Sequence, residues 1–420
     1  MMVSLEGLHG FSNNHVDADA ILAPHIEATQ RRARLRTVLM VHDTTEFVFG
    51  GRGERAGLGP VRGGDQRGFL GHFALAVARG EERLPLGVAG LLRIARKERT
   101  ATRPRSTQEL AKLPERESLR WGTLVSEVEE RRQGFECIHV MDREGDAYEL
   151  LALMQEVKAR FIVRAAYNRA LAEDGKLLHH TLEELFPMAQ RSIELSVRPP
   201  NGPPDSRANR KHPPRSQRQA TVAVSSARVT LRRPHHVRVS QREITLNVVH
   251  VWEPAPAAGE SAVEWTLYTT EPVDTDVQVW AVVDSYRARW VIEELFKALK
   301  TGCNIERRQL ETFHSLSNAL SIFIPVACRM LLARALCRAC PTAPSAQLLS
   351  PIQHQLLTHQ LRLTTVPATI EQALYAVAKL GGHLRRNGPP GWQTLAKGFE
   401  ALMWMQAGWH AAHHPGSDQS

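Results

Sequence analysis

The chain has 420 residues and carries 53 Lys and Arg against 44 Asp and Glu, a formal net charge of +9 at pH 7. Its length exceeds what one small domain needs. Its 43% apolar and 23% charged residues are ordinary globular usage, which excludes a disordered, collagen-like or coiled-coil protein. The excess of positive charge favours a polyanionic partner but says nothing about the fold.

The N-terminal part of the chain predicts a helix followed by strands. Residues 1–36 predict helix, and a Gly-rich stretch, Gly50–Gly64, predicts a long turn. Apolar and β-branched runs predict three strands: Thr37–His42, Phe73–Val77 and Leu86–Ile94. Strands separated by turn residues in this way indicate an antiparallel meander.

A strand–helix–strand unit follows. After a predicted helix at Ser106–Gln133, the periodicity predicts a strand, a helix and a strand: Cys137–Met141, Ala147–Lys158 and Phe161–Ala165. Such a unit joins parallel strands by a right-handed crossover. Asp146 stands directly before the helix, where we expect it to be the N-cap.

The next part of the chain, residues 170–280, predicts β-structure. Five runs alternate like strands: Ile193–Val197, Thr221–Val224, Val229–Leu231, Ile244–Val251 and Ala262–Thr269. The segment Arg198–Arg218, which separates the first two, is rich in proline and arginine. It predicts a flexible, solvated basic loop, with contact to nucleic acid as the alternative.

The C-terminal part of the chain predicts helices: Asp284–Lys300, Leu316–Cys340, Pro351–Leu361, Ile370–Leu380 and Trp392–Trp409. The most apolar stretch, Leu320–Cys328, is too short to span a bilayer and predicts a buried helix. The N-terminal residues lack the basic and apolar segments of a signal peptide. We therefore expect no membrane partner.

The five cysteines do not predict a disulfide framework, because their number is odd and the chain is long. Cys337-x-x-Cys340 has the spacing of half a zinc site, with His354 and His359 as the nearest further candidates. No second close pair of Cys or His follows. Two small apolar side chains on a helix are therefore the favoured interpretation.

Four polar or amphipathic side chains share one face of the predicted helix that begins at Ser285. They fall within an arc of about 60°: Tyr286, Arg289, Glu293 and Lys300. The adjacent stripe is apolar and predicts the core face: Ile292, Leu295, Phe296 and Leu299. One acid thus lies among two cations and a phenol. On helix geometry alone, solvated charge pairs worth roughly a few tenths of a kcal/mol are the simpler interpretation.

Two further carboxylates favour a catalytic site. Asp43 and Asp142 each follow an apolar strand, at the end where α/β sheets bind ligands. A lone Asp there is usually a turn residue, and Glu144 is expected in a solvated turn. Together with Glu293, however, the two acids would suit Mg²⁺, which prefers oxygen ligands. Two such ions about 3.5–4 Å apart stabilise the attacking and leaving oxygens of a phosphodiester displacement.

These motifs together resemble those of a known family. The motifs are Asp43-Thr44-Thr45, Asp142-Arg143-Glu144 and Tyr286-x2-Arg289-x3-Glu293-x6-Lys300. They look like those of the DDE transposases of the insertion-sequence-four family, which are bacterial cut-and-paste enzymes with a ribonuclease-H-like core. The third motif is the most specific, and its context is similar from Trp290 to Arg307. The similarity covers about residues 10–410 and includes Trp265–Pro272.

The resemblance implies an activity and its cofactor. Asp43, Asp142 and Glu293 would be the catalytic acids and would ligate two Mg²⁺ ions, for which Mn²⁺ can substitute. They would activate water, and then a DNA 3′-hydroxyl, for cleavage and strand transfer. The partners implied are double-stranded DNA, as transposon ends and target, and a second copy of the chain in a synaptic complex. The implied location is the bacterial cytoplasm, at the nucleoid.

The resemblance also implies DNA contacts. Tyr286, Arg289 and Lys300 would hold phosphates near the cleaved end, and Arg164 matches an arginine at a strand end that contacts DNA. In relatives, excision through a DNA hairpin needs a flipped base. Trp265 or Trp290 could stack on it, and ordinary core tryptophans are the alternative.

The fold expected from the resemblance is α/β, with a ribonuclease-H-like core interrupted by a β-rich insertion and followed by a C-terminal helical region. The expected parts are a remnant of an N-terminal helical DNA-binding region (1–36), the first part of the core (37–169), the insertion (170–280), the second part of the core with the signature helix (281–345) and the helical region (346–420). Because few residues precede Asp43, we expect an N-terminally truncated relative.

Two other functions stay open on the sequence. One is a truncated, non-mobile transposase-derived protein that binds DNA or inhibits an intact copy; the short N-terminal region motivates it, and the complete set of acids argues against it. The other is a ribonuclease-H-like nuclease without strand transfer. Nicking of supercoiled DNA without joining would favour the second.

Overall fold

The computed structural model describes residues 15–413 apart from several short segments: 51–54, 62–65, 81, 98–116, 174, 196, 199, 201, 204–205, 207–208, 210–212 and 258. The chain divides into two compact units. The first comprises Met1–Arg103, Thr123–Cys137 and Ala288–Ser420, and the second comprises Pro104–Gly122 and Ile138–Arg287. Both contain helices and strands, so the fold is mixed α/β with helices at the C-terminal end.

The described strands are β1 (Thr37–Val48), β2 (Gly59–Val61), β3 (Gln66–Ala78), β4 (Pro85–Ile94), β5 (Glu136–Met141), β6 (Arg160–Arg164), β7 (Ala189–Leu195), β8 (Arg218–Arg232), β9 (Glu243–Trp252) and β10 (Glu264–Thr269). The described α-helices are α1 (Ala18–Ala33), α2 (Leu119–Arg131), α3 (Tyr148–Glu156), α4 (Leu178–Glu183), α5 (Asp276–Arg287), α6 (Val291–Lys297), α7 (Phe313–Ala339), α8 (Pro351–Gln360), α9 (Ile370–Leu380) and α10 (Trp392–His413).

The strands of the first unit confirm the antiparallel meander. β3 pairs antiparallel with β1 on one edge, and with β2 and β4 on the other. β1 is longer than the sequence predicts, because it continues through Asp43, which pairs with Phe73, and ends at Val48. Asp43 therefore lies within a strand and not at its end. The predicted turn Gly50–Gly64 contains the short strand β2.

The longest helix, α7, passes the length and composition test for a membrane span, but 67% of its most apolar window is buried inside the protein. Its buried polar groups hydrogen-bond to the start of the chain. Asn318 Nδ2 donates to Val16 O at 3.1 Å, and Ser321 Oγ donates to Ala18 O at 2.7 Å. These bonds satisfy polar groups that would be costly to bury alone. The helix therefore packs as a core element, as predicted for Leu320–Cys328.

The C-terminal helices α9 and α10 approach each other closely at two glycines. A Cβ atom on Gly398 would lie 2.0 Å from Val377 O, and one on Gly381 would lie 1.9 Å from Thr394 O. Only residues without a side chain allow this backbone approach. Phe399 and Leu402 are buried in the same region, whereas Trp404 is 67% exposed.

The second unit orders its strands β5-β6-β10-β9-β8-β7. β5 and β6 are parallel and α3 follows β5, as the strand–helix–strand pattern predicts, and the other neighbours are antiparallel. The runs Thr221–Val224 and Val229–Leu231 form one strand, β8, and not two. The burial of β8 alternates irregularly. The polar residues Ser225 and Ser226 interrupt the apolar pattern, so the sequence predicted two strands where there is one.

The N-cap prediction for Asp146 is wrong. Ala147 is the N-cap residue of α3, without a side-chain cap. The Asp146 carboxylate is instead fully buried and accepts hydrogen bonds from Ala166 N at 2.6 Å and from Arg169 Nε at 3.0 Å. Burial raises the pKa of Asp146, while Arg169 opposes that rise. The carboxylate thus bonds residues about 20 positions later in the chain and does not cap the helix.

His25 provides a pH-dependent contribution to the stability of the first unit. Its Nε2 accepts a hydrogen bond from Val88 N at 3.1 Å, which requires the neutral ring. Burial, together with the charge of Arg32, lowers the pKa of His25 to about 4. Because the pKa in the folded state lies below the unfolded value of about 6.5, stability is fully present above pH ~6.5 and is lost as pH falls toward 4.

We predict that His25→Gln removes this pH dependence. Between pH 7 and pH 4 the wild type should lose on the order of 2 kcal/mol more unfolding free energy than the variant, whose amide oxygen can still accept from Val88 N. Urea unfolding at a series of pH values measures the difference. Parallel curves for the two proteins would show that His25 does not titrate with folding.

Candidate active site

The segment that carries the four-residue signature is not one regular α-helix. α5 ends at Arg287, a 3₁₀ turn covers Ala288–Trp290, α6 begins at Val291, and a π-helical turn covers Ala298–Gly302. The common arc of about 60° assumed an unbroken α-helix and is therefore wrong. Short 3₁₀ and π turns inside helices often mark functional positions. Here they separate Tyr286 on α5 from Glu293 on α6 and Lys300 on the π turn.

Arg289 joins two of the predicted catalytic acids in the first unit. Its Nη1 lies 3.0 Å from Asp43 Oδ2, and its Nη2 lies 3.0 Å from Glu293 Oε1. The Arg289 side chain is 9% exposed, Asp43 17% and Glu293 44%. This degree of burial excludes the fully solvated charge pairs considered for the signature. Each of the two terminal nitrogens of the planar guanidinium bonds one carboxylate, a geometry that an ammonium group does not offer.

Lys300 contacts β1 at Glu46, three residues beyond Asp43. Its Nζ donates to Glu46 O at 2.6 Å, lies 3.7 Å from Glu306 Oε1, and stands 5.6 Å from the centre of the Phe47 ring. Glu306 Oε1 also accepts from Val48 N at 2.9 Å. The structure therefore brings Lys300 to the strand that carries Asp43.

Glu46 and Glu306 were missed by the sequence analysis. Glu46 bonds Arg96 through Oε1 at 2.9 Å and Lys300 through its backbone oxygen. Glu306 falls inside the context Trp290–Arg307 that supported the resemblance, and this was the available signal. The sequence gives no signal for Glu46, because a single acid between threonine and phenylalanine is common on a half-buried strand face.

Asp142 belongs to the second unit and directly follows β5. It is the N-cap of the 3₁₀ turn Arg143–Gly145, and its Oδ1 accepts from Glu144 N at 2.8 Å. One carboxylate oxygen thus fixes the turn, which is the ordinary role of an Asp after a strand. Glu144 is 61% exposed and pairs with Arg120 at 2.7 Å, as expected for a solvated turn.

The remaining predicted DNA contacts of the second unit lie near a cavity of about 580 Å³. Trp265 on β10 and Arg164 on β6 both line it. Tyr286 is buried, and its ring centre lies 5.9 Å from that of Trp265. Arg164 Nη2 donates to Glu264 O at 3.1 Å. The lining of the cavity thus includes both aromatic and basic side chains.

Trp290 is not a core residue, because half of its surface is exposed. The guanidinium of Arg289 lies 4.9 Å from the centre of its ring, a cation–π distance. Trp265 is half-buried and lines the cavity. The exposure of Trp290 therefore does not fit the alternative of ordinary core packing.

Comparison with known families identifies the class of protein. Residues 115–326 match the family model described as the transposase DDE domain. This match covers half of the 420 residues, so the chain belongs to the transposase DDE domain family. The match includes Asp142, Arg289, Glu293 and Lys300, whereas Asp43 precedes it. The ion pair with Arg289 connects Asp43 to the matched region.

Among solved structures, the chain is similar to one described as a cryo-EM structure of the piggyBac transposase synaptic complex with hairpin DNA. The identity is 9% and the TM-score 0.32, over 80% of this chain. The chain spans 59% of the length of that protein. The family assignment rests on the domain match.

We predict that Arg289→Met destabilises the first unit by about 1–3 kcal/mol. The substitution removes the ion pairs of Arg289 with Asp43 and Glu293, and removing one partner of a partly buried pair costs more than the pair itself contributes. Asp43→Asn should cost less, and adding it to Arg289→Met should recover part of the loss. Urea unfolding of the single and double variants measures these free energies.

The matched control for this experiment is Arg338→Met. Arg338 forms an equally short pair with Glu294, at 3.0 Å, but is 61% exposed. An exposed pair contributes about 0–1 kcal/mol. A loss in Arg289→Met no larger than that in Arg338→Met would contradict the structural role of Arg289.

Proposed function

We propose that the chain is a DNA transposase that cleaves DNA and transfers the strand with Asp43, Asp142 and Glu293 as its catalytic acids. The observation that carries the proposal is the shared pairing of Asp43 and Glu293 with Arg289, in a chain of the transposase DDE domain family. Two carboxylates 250 residues apart in sequence are held at one guanidinium. We further propose membership of the insertion-sequence-four group, with a ribonuclease-H-like core.

The donor set fits a divalent metal. Asp43 and Glu293 offer only carboxylate oxygens, which hard cations such as Mg²⁺ and Mn²⁺ prefer. Both are within hydrogen-bond distance of a single cationic group, so a positive charge is already accommodated between them. In the proposal these two acids and Asp142 hold two Mg²⁺ ions. Bound metal would supply charge stabilisation for the attacking and leaving oxygens of the phosphodiester.

The side chains of the signature would orient DNA. Arg289 is directed at the acids by its two ion pairs, and its guanidinium can also bind a phosphate bidentately. Lys300 is fixed along β1 by Glu46 O and offers an ammonium group to a second phosphate. Tyr286 supports the ring of Trp265, on which an extruded base would stack. Arg164 and Trp290 complete the proposed DNA contacts.

We also propose the partners and the location of the protein. Double-stranded DNA would be bound as transposon ends and as target, by two copies of the chain, in the bacterial cytoplasm. The main alternative is a transposase-derived protein that binds DNA without cutting it, and a nuclease without strand transfer is the second. The pairing of two acids at Arg289 favours catalysis over binding alone, because phosphate binding by itself needs no carboxylates.

We predict that Mg²⁺-dependent DNA cleavage falls by roughly 10³-fold or more in each of Asp43→Asn, Asp142→Asn and Glu293→Gln. Each substitution removes one charged ligand, and metal ligation supplies several kcal/mol of transition-state stabilisation. The substrate is a supercoiled plasmid carrying the DNA that flanks the coding sequence. Gel electrophoresis separates nicked, linear and joined products, so it also distinguishes transposase from nuclease.

The control is Glu294→Gln, which changes the acid next to Glu293. Glu294 pairs with Arg338 instead of Arg289, and its substitution should leave cleavage within about twofold of wild type. Wild-type cleavage in any one of the three acid variants would remove that residue from the catalytic set. DNA binding by the wild type without cleavage in Mg²⁺ or Mn²⁺ would favour the non-catalytic alternative.

A further inference from the structure

The aromatic side chains of Trp265 and Tyr167 both line the cavity of the second unit. Trp265 lies on β10 and is half-buried, whereas Tyr167 follows β6 and is 63% exposed. The resemblance gives Trp265 a role in stacking and gives Tyr167 none. The volume of the cavity, about 580 Å³, falls in the range of sites that take a small ligand, such as one nucleotide.

The backbone that carries Tyr167 is fixed by a buried carboxylate. Asp146 Oδ2 accepts hydrogen bonds from Ala166 N at 2.6 Å and from Tyr167 N at 3.1 Å. Asp146 Oδ1 accepts from Arg169 Nε at 3.0 Å, and Asp146 O accepts from Arg169 Nη2 at 2.9 Å. Both side chains of this ion pair are buried, so water competes little for these bonds. The segment is therefore anchored on both sides of the Tyr167 side chain.

Arg169 also places a cation beside the ring of Tyr167. Its guanidinium carbon lies 5.4 Å from the ring centre, a cation–π distance. This contact favours one orientation of the ring and still leaves most of the residue exposed to solvent. An aromatic ring that is oriented and exposed offers a large contact area, and it loses little conformational entropy when a planar ligand binds.

The charged groups of the cavity fit a whole nucleotide better than a phosphate alone. Its lining includes side chains of both signs: Arg143, Arg164, Arg198, Arg215, Glu260 and Glu264. Carboxylates repel a phosphate, but they can accept hydrogen bonds from the N–H groups at the edge of a nucleobase. Glu264 also lies 3.3 Å from His250 Nε2, through Oε1, and its side chain is 65% exposed.

We propose that Tyr167 is a stacking ring for an unpaired nucleobase that enters the cavity beside Trp265. Every nucleobase has a π-face, so stacking of this kind tolerates any base. The arginines of the lining would bind the adjoining phosphates, because a guanidinium offers two parallel donors to phosphate oxygens. This role of Tyr167 rests on the proposed function, which supplies DNA as the ligand.

The test compares two DNA duplexes that differ at one unpaired position. One carries a single thymidine bulge and the other an abasic bulge at the same place. Both are bound to the full chain in EDTA, which prevents metal-dependent cleavage. Fluorescence anisotropy gives the dissociation constants, and the ratio of the abasic to the thymidine constant measures the contribution of the base. We expect a wild-type ratio above about 5, the lower end for one base stacked on an aromatic ring.

Two variants of Tyr167 separate stacking from other effects. In Tyr167→Leu the ratio should fall about fivefold, because leucine is apolar but has no ring. Tyr167→Phe keeps the ring and should keep the wild-type ratio. The matched control is Phe186→Leu, since Phe186 is 88% exposed, belongs to the second unit and lies outside the cavity lining among the described residues. This control should leave the ratio unchanged.

Three results would overturn the stacking role of Tyr167. They are an unchanged ratio in Tyr167→Leu, an equal fall in Tyr167→Phe, and an equal fall in Phe186→Leu. Plasmid cleavage by the wild type in Mg²⁺ reports on the proposed function separately. Cleavage without a preference for the base overturns the stacking role alone, whereas a preference for the base without cleavage overturns the proposed catalytic activity alone.

Discussion

A single guanidinium organises the candidate active site. Both Asp43 and Glu293 are bonded to Arg289, whose side chain is almost completely withdrawn from solvent. Each ion pair places a positive charge beside a carboxylate, and ionised carboxylates are the form that binds a divalent metal. The ring of Trp290 also lies near this guanidinium, with its centre 4.9 Å away.

The backbone of the signature segment is irregular on both sides of α6. A regular α-helix through residues 284–300 would place Arg289, Glu293 and Lys300 along one straight face. The 3₁₀ turn before α6 and the π turn after it change the direction in which the flanking side chains leave the helix. Arg289 reaches the middle of β1, and Lys300 reaches its end. With these local deviations from α-geometry, residues on both sides of the short helix α6 contact the long strand β1.

Much of the fold could be predicted from the sequence, because apolar periodicity reports on which face of an element is buried. The meander, the parallel β5–β6 pair and the buried helix at Leu320–Cys328 are of this kind. Features that depend on a distant partner could not be predicted. The position of Asp146 before a helix predicts an N-cap, but its carboxylate bonds Arg169 instead. The sequence pattern of residues 284–300 is helical throughout and does not indicate the turns that interrupt the helix.

The site shows the same division. The residue types and their spacing selected Arg289 and Glu293 as a pair, and the structure joins them at 3.0 Å. The contact of Arg289 with Asp43 spans 246 residues, and no local pattern could reveal it. The family match begins after Asp43. In the sequence, therefore, only the resemblance of the motifs grouped Asp43 with Asp142 and Glu293. Tertiary structure supplies the physical link.

The pairing of β1 with β3 has a consequence for how this protein can change by insertion or deletion. Eleven successive residue pairs, from Val38 with Ala78 to Val48 with Gly68, fix the register, and Asp43 stands opposite Phe73 in it. Side chains alternate between the two faces of a strand, so one residue gained or lost before Asp43 within β1 would turn the carboxylate to the opposite face. Arg289 would then lose its partner although every residue of the three motifs remained. A reading-frame-preserving change in an apolar strand could thus separate an intact set of motif residues from one another.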